Sequence, residues 1–215
     1  MTTIKNIESF VYRYPLSKPV ITSFGVMDNR PMLILKITDN NGMYGWGEVW
    51  CNFPLTGAEH RAKLIDNVFK PLLANFNIIT PEKTYEYLVS KTKILSIQSG
   101  EPGPIAQCIA GIDIAIHDLI GKVENISLWK KFGGNKNIIP CYASGINPTK
   151  PELTVKDAIK KGYSSFKLKI GFGIKKDLGN IKEIKNILPE KSSLMVDANQ
   201  AWNLNEAIEA CKLLE

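Results

Sequence analysis

The sequence is poor in the residues on which several large functional classes depend. Only three of its 27 basic residues are arginines, and only two residues are histidines. The lysines alternate with acidic residues, as in Lys182-Glu183-Ile184-Lys185, and form no basic stripe. The net charge of +6 therefore does not predict a nucleic-acid partner, which needs a clustered basic face. The hypothesis that the protein binds nucleic acid or a membrane surface is supported by net charge alone and is the weakest alternative.

Paired cysteines, zinc-ligand spacings and long apolar runs are also missing. The four cysteines form no CxxC pair; they are Cys51, Cys108, Cys141 and Cys211. With no signal peptide at the N-terminus, we expect free thiols in a reducing cytoplasm. Neither histidine has a cysteine at zinc-ligand spacing, which argues against a zinc site. We expect no apolar run long enough to span a bilayer, and hence no membrane partner.

The composition that remains is that of an ordinary globular protein. The chain has 215 residues, 44% hydrophobic and 22% charged, enough for one large or two small domains. Alternating apolar residues predict strands over 4–14, 31–38 and 43–49, with a turn at Asp39-Asn40-Asn41-Gly42. Residues 15–30, with Pro15, Pro19 and Gly25, are predicted to form a long polar loop, a kind of loop that is usually functional or mobile.

The pattern then changes to helices, and later to alternating strands and helices. Helical periodicity covers 58–75, a segment from Pro81 with Thr80 as N-cap, 104–122 and 127–131. From residue 138 onward, strands at 139–144, 166–170 and 194–197 alternate with helices at 152–161, 175–188 and 204–215. Such alternation predicts a parallel sheet with right-handed crossovers.

Polar side chains end two of these predicted strands. Lys167 and Lys169 are two residues apart, so the period of a strand directs both ammonium groups to one face. Asp197 and Asn199 share a face of the next strand by the same rule. Catalytic groups of parallel α/β folds lie at the carboxyl ends of the strands. We therefore expect these four side chains to share one pocket.

The four side chains suit acid–base chemistry beside a divalent cation. Asp197 offers the hard oxygen that Mg²⁺ prefers, and a like-charged neighbour lowers the pKa of one lysine, which favours a general base. The alternative from the residues alone is that the lysines are paired surface groups and Asp197 is a turn or N-cap residue. Gly171-Phe172-Gly173 resembles part of a phosphate-binding loop but lacks its third glycine.

Several longer motifs follow one another in order along the chain. They are Gly45-Trp46-Gly47-Glu48, Gly111-Ile112-Asp113-Ile114-Ala115 with Asp118-Leu119 and Gly121-Lys122, Lys167-Leu168-Lys169, and Val196-Asp197-Ala198-Asn199-Gln200-Ala201-Trp202. In order and spacing the chain resembles the mandelate racemase / muconate lactonizing enzyme group of the enolase superfamily. It departs from that group at His117, where Trp is usual.

The resemblance implies a fold in two parts. Residues 1–125 are expected to form the α+β capping domain, whose loops near 15–30 and 50–57 close over substrate. Residues 126–215 are expected to form the first three βα units of a TIM-type (β/α) barrel. Three units cannot close an eight-stranded barrel, so we expect it to be incomplete, with an apolar sheet edge left open.

The resemblance also implies a role for each polar strand-end residue. Lys169 matches the base that removes or returns a proton α to a carboxylate, and Lys167 matches the lysine that supports the substrate carboxylate and lowers the base's pKa. Asp197 matches the first of three carboxylate ligands to Mg²⁺, with Mn²⁺ as an alternative. Asn199 matches a polar neighbour of the substrate. The implied enzyme is a racemase, cycloisomerase or dehydratase acting on an acid sugar or a related acid.

Members of the group take two more ligands, and usually a second acid/base, from later barrel strands, whereas this chain ends at Glu215. We therefore expect the N-terminal part of an enzyme, inactive without its other half. The alternative is a catalytically dead remnant that serves as an interaction module. The implied partner is a small-molecule carboxylate substrate; a separate C-terminal half and a homo-oligomer remain open.

Overall fold

The computed structural model of the chain describes residues 2–22 and 25–214. The chain divides into two compact units. The first comprises Met1–Pro15 with Asn29–Asn135, and the second comprises Leu16–Asp28 with Lys136–Glu215. Each unit has its own cluster of buried apolar side chains, as expected for separately packed bodies.

The first sheet is a β-meander, as predicted. Its strands are β1 (Thr2–Thr22), β2 (Gly25–Asp39), β3 (Tyr44–Val49) and β4 (Asn77–Ile78), in the order β3-β2-β1-β4. β2 and β3 pair antiparallel from Leu33↔Val49 to Thr38↔Tyr44. The turn between them forms where expected, because Asp39 accepts the backbone N–H groups of Asn41 and Met43 at 2.9 and 2.8 Å.

The prediction of a long loop over residues 15–30 is wrong for the residues that the structure describes. β1 continues through residue 22 and β2 begins at Gly25, so the segment is the outer part of a long hairpin; residues 23 and 24 lie outside the described part. Among the described residues, β4 pairs with β1 at Thr2 and Thr3, far from Pro15 and Pro19, so the prolines remove no bond to β4.

Helices cover the sheet of the first unit. They are α1 (Gly57–Leu64), α2 (Lys70–Leu73), α3 (Pro81–Ser99), α4 (Pro102–Val123) and α5 (Leu128–Lys131). A π-helical turn at Ile65–Phe69 separates α1 from α2, where the periodicity predicted one helix. The predicted N-cap of α3 is confirmed: Thr80 Oγ1 accepts the N–H of Lys83 at 3.2 Å. Gly100 ends α3 in the left-handed conformation, φ +68°.

Helix α4 lies directly on β3 because two glycines leave room for it. A Cβ at Gly45 would be 2.0 Å from the carbonyl oxygen of Ala115, and a Cβ at Gly47 would be 2.1 Å from that of Gly111. Side chains of the same helix also form hydrogen bonds with backbone groups of β3. Asp118 accepts the N–H of Trp46 at 2.8 Å, and the ammonium of Lys122 donates to the Tyr44 carbonyl at 3.1 Å. These motif residues therefore hold helix and strand together.

The expectation that no apolar segment reaches membrane-spanning length is wrong for α4. This 22-residue helix is long and apolar enough to cross a bilayer by length and composition, with a mean hydropathy of 1.3 over its most apolar window. Half of that window is buried in the fold, where Cys108, Ile112 and Leu119 pack in the core. The core helix of a soluble protein has the same character, and burial accounts for this composition.

The second unit contains the predicted alternation of strands and helices. Its elements are β5 (Ala143–Ile146), α6 (Pro151–Lys160), β6 (Ser165–Lys169), α7 (Ile174–Lys185), β7 (Ser193–Asp197) and α8 (Leu204–Leu214), while Glu215 lies outside the described residues. The strands form a parallel sheet in the order β5-β6-β7. β5 starts later than predicted: Ile138 and Ile139 are 79% and 82% exposed and precede the sheet.

Candidate active site

The site is built on strand β6, whose two faces differ completely. Phe166 and Leu168 are fully buried against the helices, and Ile170, just after the strand, is 1% exposed. Lys167 and Lys169 alternate with them and are only half-buried. The parity predicted from the sequence is therefore confirmed, because apolar and basic side chains occupy opposite faces.

Parallel pairing brings the next strand's carboxylate to the same place. In the β6–β7 register Lys169 is opposite Asp197, and the Ile170 N–H donates to the Asp197 carbonyl at 3.0 Å. Lys167 Nζ lies 3.1 Å from Asp197 Oδ2, with side-chain exposures of 25% and 27%. The structure thus brings the two lysines and the carboxylate together at one edge of the sheet.

Asn199 completes this cluster from the turn after β7. Its backbone N–H and its side-chain Nδ2 both donate to Asp197 Oδ1, at 2.9 and 3.1 Å. In this Asx-type turn Asn199 has a positive φ of +47°, a conformation that asparagine tolerates better than most residues. Its Oδ1 accepts a hydrogen bond from Lys169 Nζ. All four strand-end residues predicted from the sequence therefore form one connected network.

The electrostatics of the cluster are set mainly by its carboxylate. The backbone N–H of Asn199 lowers the pKa of the Asp197 carboxyl, and the hydrogen bond from Lys167 lowers it further. The same hydrogen bond raises the pKa of Lys167. The expectation that repulsion between the lysines lowers the pKa of one of them does not hold for Lys167, because the carboxylate 3.1 Å away outweighs the second ammonium.

Sequence reasoning missed an aromatic neighbour of the cluster. The ring centroid of Tyr142 lies 5.4 Å from Lys167 Nζ, within range of a cation–π contact, and hydrogen bonding to Tyr142 contributes to the raised pKa of Lys167. The position of Tyr142 in the sequence could have indicated this contact, because Tyr142 immediately precedes β5, the strand next to β6. An aromatic residue there is close to the first lysine.

The glycine-rich turn after β6 is closed to phosphate. Asp177 on α7 is 2% exposed, and its Oδ2 accepts the N–H of Gly171 at 2.9 Å and that of Phe172 at 3.3 Å. A phosphate-binding loop needs those amides free. This turn is therefore held by a buried carboxylate that the sequence alone did not single out.

The comparisons with known proteins agree with the motifs. Residues 6–133 match the mandelate racemase / muconate lactonizing enzyme N-terminal domain, and residues 152–215 match the enolase C-terminal domain-like family. The chain belongs to the mandelate racemase / muconate lactonizing enzyme family of the enolase superfamily.

Relatives of this family member are enzymes with longer chains. It is 27% identical over 98% of its length to the 3,6-anhydro-alpha-L-galactonate cycloisomerase of Streptomyces coelicolor, and covers 58% of that protein. A mandelate racemase/muconate lactonizing enzyme structure from Bordetella bronchiseptica superposes with a TM-score of 0.89 at 41% identity, with 99% of this chain and 56% of the other covered. A Streptomyces coelicolor racemase structure with bound magnesium has a TM-score of 0.87 at 27% identity, with 98% and 59% covered. The chain therefore spans little more than half the length of these relatives.

The side chains of this family member that could bind a metal make up only part of a metal site. Asp197 provides one carboxylate, and the part of the chain that the structure describes holds no group of three or more His, Cys, Asp or Glu side chains placed to bind a metal. Mg²⁺ takes six oxygen ligands in near-octahedral geometry, some of them water. Asp197 fits one of these positions, and the described residues do not make a complete site by themselves.

Proposed function

We propose that this chain supplies the general base, its supporting lysine and one metal ligand of a Mg²⁺-dependent enzyme that removes a proton α to a carboxylate. The observation that carries the proposal is the network of Lys167, Lys169, Asp197 and Asn199 at one edge of the parallel sheet. The magnesium in the related Streptomyces coelicolor racemase structure supports the choice of metal. Residues 1–125 would be the capping domain and 126–215 the partial barrel.

The two lysines differ in a way that suits different roles. Lys167 is paired with a carboxylate, which stabilises its protonated form and keeps a positive charge available for a substrate carboxylate. Lys169 bonds instead to the neutral amide of Asn199. Because, among the described residues, Lys167 is held in an ion pair and Lys169 is not, Lys169 is the better candidate to accept the α-proton.

The remaining residues would orient substrate and share its charge. Asn199 bonds to both Lys169 and Asp197, which positions the base relative to the ligand position. Magnesium bound there would stabilise the negative charge that develops as the α-proton leaves. The other ligands would come from a further part of the barrel, in the same polypeptide or in a partner.

The substrate class follows from the relatives and from the site's charge. A cationic Lys167 and a divalent metal would together bind a carboxylate. We propose an acid sugar or a related acid, because the Streptomyces coelicolor relative is a cycloisomerase of a sugar acid. We also propose a cytoplasmic location, since all four cysteines are free thiols.

Proton exchange in D₂O tests the chemistry. The 215-residue chain alone should show no Mg²⁺-dependent exchange of α-protons, because a single carboxylate does not hold the metal tightly. A chimera that joins it to the remaining barrel of the Bordetella bronchiseptica relative should exchange α-protons of a matching acid. Lys169→Ala in that chimera should lower the rate by a factor of at least about 100, whereas Lys182→Ala on the exposed face of α7 should not.

Two results would contradict the proposal. One is metal-dependent exchange by the 215-residue chain alone, and the other is full exchange by the Lys169→Ala chimera. The second candidate function, an interaction module without catalysis, is favoured by the exposed apolar side chains of β7, where Met195 and Val196 are 37% and 38% exposed. A chimera that folds, binds magnesium and exchanges no α-proton of any acid tested would support that candidate.

A further inference from the structure

Arg13 bonds to several separate segments of the first unit at once. Its Nη2 lies 2.6 Å from both carboxylate oxygens of Glu59 on α1 and 2.8 Å from the carbonyl oxygen of Leu55. Its Nη1 donates to Asn29 Oδ1 on β2 at 3.4 Å. The hydrogen bond from Arg13 also lowers the pKa of Glu59. One guanidinium on β1 therefore joins both strands of the hairpin to the segment 51–57 and to the helix that follows it.

The segment 51–57 is anchored at both ends and exposed between them. Cys51 is buried at one end. At the other, the buried Arg61 side chain donates to the Gly57 carbonyl at 3.2 Å and to Gln107 on α4 at 2.9 Å. Residues 54–56 are exposed. The hydrogen bond from Arg13 to Leu55 thus links the exposed middle of the segment to strand β1.

We propose that Arg13 is a positioning residue that couples the local opening of the hairpin residues 11–14 and 29–30 to that of the segment 51–57. Opening either part breaks bonds to the same guanidinium, so the free energy of opening is shared between them. The importance of this coupling rests on the proposed function, in which both parts belong to the capping domain.

Amide hydrogen exchange of the 215-residue chain, without substrate, tests the coupling. The reporters are the Gly57 amide, which donates to the Pro54 carbonyl at 2.7 Å, and the hairpin amides of residues 11–14 and 29–30. In Arg13→Ala, both sets should exchange about two- to five-fold faster, the range expected for a partly exposed ion pair. Arg30→Ala is the matched control, because among the described residues this arginine on β2 has no bond to Arg13, Leu55 or Glu59, and it should leave both sets unchanged.

Two further variants separate positioning from general stability. Arg13→Lys should restore part of the protection, since an ammonium can pair with Glu59 but lacks the planar fork. The double variant Arg13→Ala/Glu59→Gln should exchange no faster than Arg13→Ala alone, because both changes remove the same contact.

The inference is overturned if Arg13→Ala speeds exchange in only one of the two segments or in neither. It is also overturned if the amide of Ile112, in the core helix α4, accelerates by the same factor, which would indicate global destabilisation. Neither result tests the role of Lys169 as a base, which is measured separately by α-proton exchange in the chimera. The coupling and the proposed chemistry can therefore fail separately.

Discussion

Replacing Gly47 with alanine tests why the glycine-rich motif of β3 exists. The added Cβ would lie 2.1 Å from the carbonyl oxygen of Gly111, 2.9 Å from the backbone nitrogen of Ala115 and 3.0 Å from its Cβ. The two closest of these atoms belong to the backbone of α4, so no side-chain rotation relieves the clash. Helix and strand must move apart by about 1 Å to restore ordinary contact.

The cost of that separation can be worked out from the contacts that it breaks. Overpacking a core typically costs about 1–3 kcal/mol, and a clash against backbone belongs at the upper end of that range. The bonds from Trp46 to Asp118 and from Lys122 to Tyr44 span the same interface, at 2.8 and 3.1 Å. Weakening them adds roughly 1 kcal/mol. We expect a loss of about 4 kcal/mol, a large part of a typical total of roughly 5–15 kcal/mol.

Urea unfolding followed by tryptophan fluorescence and far-UV circular dichroism measures the effect. Gly179→Ala is the control, because this exposed glycine is in helix α7, an added Cβ would meet no non-neighbouring atom within 4 Å, and the position needs no positive φ. The control should be neutral or stabilising by up to about 1 kcal/mol. If Gly47→Ala unfolds within about 1 kcal/mol of the parent, the close approach of α4 is not what requires the glycine.

Three further predictions concern the second unit. The pKa of Asp197 is lowered first by the Asn199 N–H and then by Lys167, so these contacts stabilise the fold above the ordinary aspartate pKa and this stabilisation is lost as pH falls through the lowered value. Asp197→Asn should remove this part of the pH dependence of urea unfolding, and an unchanged profile would refute it. Asp177→Ala leaves two backbone N–H groups without their partner and should cost about 1–3 kcal/mol in the same assay, with Asp177→Asn intermediate. The exposed apolar side chains of β7, including Met195 and Val196, should make the 215-residue chain bind a hydrophobic dye or self-associate, and a cooperative monomeric melt without dye binding would count against this.

Local sequence pattern was sufficient for the elements that carry the site. Strand period alone placed Lys167 and Lys169 on one face, because successive side chains of a strand alternate whatever the rest of the fold does. The alternation of elements after residue 138 also predicted a parallel sheet, and three parallel strands are present. The turn at residues 39–42 was likewise readable, since it rests on residues that accept positive φ.

Pattern failed where long-range pairing decides the conformation. Pro15 and Pro19 indicated a loop, yet the residues that follow them up to residue 22 are strand, because β1 pairs with β2, a strand that comes later in the chain. The apolar character of α4 likewise has its explanation in a strand more than 50 residues away. Neither fact is encoded in the neighbouring residues.

The sequence by itself determined the family, the order of the elements and the four residues of the candidate site. Those features depend on residue type and spacing, which can be read from the sequence without knowledge of the fold. Only the tertiary structure decided which lysine pairs with Asp197 and which pairs with Asn199. It also decided that Asp177 closes the glycine-rich turn and that Arg13 joins the hairpin to residues 51–57. Each of these depends on distances between atoms far apart in the chain, which packing sets and local pattern does not.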